Sequence, residues 1–133
     1  MSGSENKLSL LLVDDETEVT EILSKRLTRR GYACRTAENG KVALERMEEG
    51  PSRIVIMDIK MPVMDGIEAL GHILDRWPST QVILLSGHAD MQIAVQALDR
   101  GAYGFMLKPV DFDDLLFKIE DAQTQSHLES GHR

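Results

Sequence analysis

The chain has 133 residues, 42% hydrophobic and 28% charged, which suits one soluble globular domain with a real core and is too short for two ordinary domains. Its net charge of −7 excludes nonspecific nucleic-acid binding, which needs a basic surface, so any role on DNA would be indirect. No apolar stretch approaches the roughly 20 residues of a membrane span, and residues 1–7 lack the apolar core of a signal peptide, so the expected location is cytoplasmic.

Short β-like runs alternate with helical stretches from end to end, the pattern of a parallel sheet covered on both faces. The first run, Leu8 to Val13, ends at Asp14 and Asp15. A helix over 16–30 follows, with Val19, Ile22, Leu23 and Leu27 on one stripe and Gly31 as its stop. Residues 32–37 form the second strand and 39–48 a short helix closed by Gly50-Pro51. The second strand carries Cys34, the single cysteine, which has no metal-ligand companion and reads as ordinary packing.

The third run, Arg53 to Met57, ends at Asp58. A turn-rich loop, Met61-Pro62-Val63-Met64-Asp65-Gly66, leads to a helix with Ile67, Leu70, Leu74 and Trp77 on one face, stopped by Pro78. The fourth run, Gln81 to Leu85, delivers Ser86, and Gly87-His88-Ala89-Asp90 leads into a helix from Met91 to Arg100. Its apolar arc is wider than one core-facing stripe requires, so Met91, Ala94 and Leu98 are read either as a partner surface or as more deeply buried. The strand from Tyr103 to Leu107 ends at Lys108-Pro109. Asp111 then caps a last helix with Phe112, Leu115, Leu116 and Ile119 inward, and from Ala122 the chain is polar and expected to fray. His72, His127 and His132 lack ligand companions and read as solvated surface.

Asp14, Asp15, Asp58, Ser86 and Lys108 therefore all follow strand ends, and in an open α/β sheet those ends share the edge where ligands bind. An acid pair alone is a weak signal, since most are solvated loop or cap residues. Three carboxylates converging at one edge, however, repel one another unless a cation joins them, and hard oxygen ligands suit Mg²⁺. Carboxylates, a divalent metal, a hydroxyl and an ammonium together point to phosphoryl chemistry.

Val13-Asp14-Asp15-Glu16, the stretch Met57 to Gly66, Leu85-Ser86-Gly87 and Lys108-Pro109 stand in the order found in receiver domains of two-component response regulators. The chain resembles that family from Leu8 to Gln123. The resemblance implies a doubly wound, flavodoxin-like α/β fold, a five-stranded parallel sheet in order 2-1-3-4-5, with tails at residues 1–7 and 124–133. It implies Asp58 as phosphoacceptor and Mg²⁺ held by Asp14, Asp15, Asp58 and the backbone carbonyl of Lys60. Ser86 and Lys108 would contact the phosphoryl group, and Ser86 and Phe105 would form the switch pair. Lys60 and His88, flanking the path of the attacking water, would tune dephosphorylation. The family pattern also makes the Lys108-Pro109 bond cis.

The implied partners are a sensor histidine kinase or phosphotransfer protein, a downstream target or an output domain lying outside this chain, and a second copy docked through the Met91 to Arg100 helix and the Tyr103 to Leu107 strand. Direct nucleic-acid or membrane contact is not expected. Two other readings remain. An Mg²⁺-dependent phosphatase with an aspartyl nucleophile is weakened because Lys60 stands where such enzymes carry a second acid. A constitutive interaction module is weakened because every active-site residue type is present.

Overall fold

The computed structural model describes residues 8–131; the expected tail at 1–7, His132 and the side chain of His127 lie outside what is described. Five parallel strands, β1 (Ser9–Val13), β2 (Ala33–Ala37), β3 (Ile54–Asp58), β4 (Gln81–Ser86) and β5 (Gly104–Leu107), form one sheet in the order β2-β1-β3-β4-β5. The helices are α1 (Thr17–Arg29), α2 (Gly40–Glu49), α3 (Gly66–Arg76), α4 (Met91–Asp99), preceded by a 3₁₀ turn at His88–Asp90, and α5 (Phe112–Gly131). The expected flavodoxin-like fold is the one observed.

Alternation along the strands divides the core in two. Leu11, Val13, Val55, Met57, Val82 and Leu84 face α2, α3 and α4, with Ala43, Met47, Leu70, Ile73, Ala94 and Ala97 packed against them. Leu10, Leu12, Ile54, Ile56, Ile83 and Leu85 face α1 and α5, where Leu27, Leu115 and Ile119 are fully buried. A strand covered on both faces must be apolar at every position, which is why these runs do not alternate with polar residues.

Two details depart from the sequence reading, and a third decides between its alternatives. On α1, Ile22 is exposed and Thr20 takes the inner position, its hydroxyl donating to the Thr17 carbonyl at 2.9 Å. On α4, Ala94 is buried with Ala97, so the outward face is made instead by Met91, Ile93, Val95 and Leu98. The helix continues past the point of expected fraying: Ala122 is packed in the core, and α5 runs to Gly131. Cys34 is half-buried against the α1–α5 side, and burial pushes its thiol pKa up, as an unreactive packing residue requires.

Candidate functional site

Register brings the strand-end residues together. Val13 pairs with Met57 across β1 and β3, so Asp14 and Asp58 leave the sheet side by side; Asp58 pairs with Leu85, and Ser86 with Leu107, so Ser86 and Lys108 follow along the same edge. Backbone bonds continue each pairing beyond the strands: the Asp14 amide donates to the Ala37 carbonyl at 3.1 Å, Ile59 to Leu85 at 3.0 Å and Lys108 to Ser86 at 2.8 Å. Rigid strands thus fix the bases of all the side chains concerned.

The Lys108 ammonium is the hub. It donates to Asp58 Oδ2 at 3.0 Å and lies 3.6 Å from Asp14 Oδ2 and 3.4 Å from Glu16 Oε1. Burial works against its charge, but the Asp58 hydrogen bond and the charges of Asp14, Asp58 and Glu16 together carry its pKa above that of an ordinary lysine. The Lys108-Pro109 peptide bond is cis. Glu16 was not singled out from sequence; its place directly after the acid pair was the available signal.

Asp14 is buried, one of its oxygens accepts the Glu16 amide at 3.0 Å, and the other, Oδ2, has no hydrogen-bond partner. Burial, reinforced by the Asp58 charge and by Asp15, raises its pKa from 3.8 to about 6, against the opposing Glu16 hydrogen bond and Lys108 charge. Asp14, Asp15 and Asp58 each present a carboxylate oxygen within 4.8 Å of the others. An all-oxygen set with one orphaned buried oxygen fits a hard divalent cation such as Mg²⁺.

The other residues singled out from sequence sit on β3, β4, β5 and the loops that follow them. Ser86 is fully buried and its hydroxyl donates to the Gly87 carbonyl at 2.8 Å. Phe105 is half-buried against the α2–α4 side of the core. His88 is exposed in the 3₁₀ turn. The Lys60 ammonium is also exposed and lies 3.9 Å from Asp90 Oδ1, a partner that sequence reading did not assign it. Between the Lys60 loop and α4 opens a cleft of about 470 Å³, lined by Asp15, Lys60, Asp65, Ile67, Asp90 and Ile93.

The β3–α3 loop is held by close backbone approaches. Gly66 donates to the Ile59 carbonyl at 2.7 Å, and a Cβ there would come within 2.9 Å of the Ile59 Cα and collide with the Asp58 carbonyl. Only glycine fits that position, against the backbone of Asp58 and Ile59.

Residues 10–120 match the response regulator receiver domain model. The chain belongs to that family. It is 39% identical over 118 residues to the regulatory protein AtoC of Escherichia coli, covering 88% of this chain and 26% of AtoC. It is 34% identical to the DNA-binding transcriptional regulator NtrC of Proteus hauseri, covering 89% of this chain and 25% of NtrC. The chain therefore spans about a quarter of the length of the curated relatives it matches. Among solved structures, the receiver domain of NtrX from Brucella abortus superposes with a TM-score of 0.80 at 34% identity, covering 85% of this chain and 96% of that one. A response regulator receiver domain protein from Clostridium thermocellum gives 0.87 at 31% identity, covering 91% and 98%. Among the described residues no helix is long and apolar enough to cross a membrane.

Proposed function

We propose that this receiver domain is a phosphorylation-controlled switch that accepts a phosphoryl group on Asp58. The observation that carries the reading is the Asp58 carboxylate, largely shielded from solvent and bonded at 3.0 Å to the Lys108 ammonium beside two further acids. A carboxylate so placed can act as a nucleophile, while the surrounding groups position the reactants and neutralise charge on the transferring oxygens. Asp14, Asp15, Asp58 and the Lys60 carbonyl would hold Mg²⁺, which when bound neutralises phosphoryl oxygens. A phosphohistidine on a sensor kinase or phosphotransfer protein suits the donor side: the Asp58 oxygen forms a bond to phosphorus as the P–N bond breaks, and the donor leaves as imidazole.

After transfer, Lys108 and the Ser86 hydroxyl contact the new phosphoryl oxygens, and Phe105 repacks in response. The surface that changes is α4 with β5, where Met91, Ile93, Val95 and Leu98 are exposed and suited to a target, an output domain or a second copy. Lys60 and His88 set the lifetime of the acyl phosphate, so turnover is confined to the domain's own phosphoryl group. A cytoplasmic site of action accords with a kinase partner. Incubation with Mg²⁺ and a small phosphodonor should add one phosphoryl group by intact mass; no addition, or turnover of an external phosphoester without a stable adduct, would oppose the reading and favour a phosphatase.

A further inference from the structure

Three helices begin on a residue that caps them through its side chain. Asn39, Asp65 and Asp111 accept the backbone amides of Val42 at 2.9 Å, Glu68 at 2.9 Å and Asp114 at 3.0 Å. Such a cap satisfies an amide of the first turn that has no partner within its own helix, and it uses extended backbone at the capping residue. Asn39 and Asp65 accordingly have ψ of 178° and 174°.

Asp90 stands in the same place before α4 and, like Glu16 before α1, does not cap its helix through its side chain. Its ψ is 11°, and its carboxylate bonds no amide of α4. It is turned instead toward Lys60 Nζ, 3.9 Å away, while its own amide closes the 3₁₀ turn on the Gly87 carbonyl at 3.1 Å. A second tether acts on the same turn: the Ser86 hydroxyl bonds the Gly87 carbonyl at 2.8 Å. Both side chains that meet the turn, Lys60 by ion pairing and Ser86 by a hydrogen bond, are neighbours of Asp58, one two residues along the chain and the other one step past the Asp58–Leu85 pairing.

We propose that Lys60 and Asp90 form a latch on the start of α4. Pairing with Lys60 and capping α4 require the same carboxylate and different values of ψ, so Asp90 has two discrete arrangements rather than a continuum. A phosphoryl group on Asp58 attracts the Lys60 ammonium and the Ser86 hydroxyl, which removes both tethers. Asp90 then swings to cap α4 as the turn opens, and Met91 and Ile93, both on the exposed apolar face, are reoriented. The trigger rests on the phosphoacceptor reading; the latch is a property of the resting protein.

Amide exchange at Asp90 and Met91 reports the turn, because those amides bond the Gly87 and His88 carbonyls only while it is closed. In the unphosphorylated protein, Lys60→Gln should raise exchange at both amides roughly fivefold, the ordinary worth of a helix cap. Asp90→Asn, which can cap but carries no charge for Lys60, should do the same, and Lys60→Gln with Asp90→Ala should return to wild-type rates. Wild-type rates in Lys60→Gln would overturn the latch. With Mg²⁺ and beryllium fluoride as phosphoryl mimic, the wild type should show at least that gain and Asp90→Ala a smaller one, from loss of the Ser86 tether alone. A mimic that binds without that gain overturns the coupling to Asp58. A mimic that does not bind counts against the phosphoacceptor reading, and the resting variants still decide the latch.

Discussion

Burial beside Asp58 and Asp15 makes the charge of Asp14 costly to the fold. With its carboxyl raised to about 6 in the folded state against 3.8 in the unfolded chain, the native protein binds more protons between those values. Stability from this group is therefore fully present below pH 4 and lost as pH rises through about 6. At roughly 1.4 kcal/mol per pH unit the loss is about 3 kcal/mol at neutral pH without metal. Asp14→Asn should accordingly stabilise the metal-free protein at pH 7 by about 2–3 kcal/mol in denaturant titration, with little gain at pH 4, while Mg²⁺ stabilises the wild type and not the variant. Equal stability of the two proteins at pH 7 would show that Asp14 is not held under this strain. The residues of this centre were legible in the sequence because each follows an apolar run, and parallel strands end on one edge. The Lys60–Asp90 contact was not, because it depends on how two loops lie across the cleft, and an acid just before a helix reads as a cap.

At the scale of elements, the β3–α3 loop sets the geometry around Asp58. A methyl group at Gly66 would press on the Asp58 and Ile59 backbone, so Gly66→Ala should destabilise the domain by about 1–3 kcal/mol and slow phosphoryl uptake together. Unchanged melting and unchanged uptake would show that the loop yields freely. The same loop carries Lys60, and the turn before α4 carries His88, both exposed. Replacing both with alanine should alter the dephosphorylation rate severalfold with Mg²⁺ affinity near its original level, measured by the decay of the acyl phosphate; an unchanged rate would remove them from the water's path. Helical periodicity placed α1 correctly but not its inward face. Ile22 and Thr20 are two residues apart, and a 3.6-residue period alone does not say which neighbour of the stripe meets the sheet. Ala94 on α4 shows the converse: a small residue fits where the helix lies close to the strands, a distance that hydropathy does not encode.

For the whole molecule, the strand runs, the glycine and proline stops and the strand-end acids specified the fold because they agree with one another at every level. The length of α5 escaped the pattern: its distal residues are polar, and their helicity follows from continuity with a buried first half at Leu115, Ile119 and Ala122. The architecture joins a parallel sheet, whose strand ends position Asp14, Asp58 and Lys108, to a helix α4 whose preceding turn lies beside Lys60 and Ser86. The residue that receives the phosphoryl group decides what the domain does. The most direct measurement is peptide mass mapping after reaction with Mg²⁺ and a small phosphodonor, in the wild type and in Asp58→Asn. One phosphoryl group on the peptide containing Asp58, absent from the variant, is the expected result; phosphate on Ser86 or on a histidine, or undiminished uptake by Asp58→Asn, would contradict it.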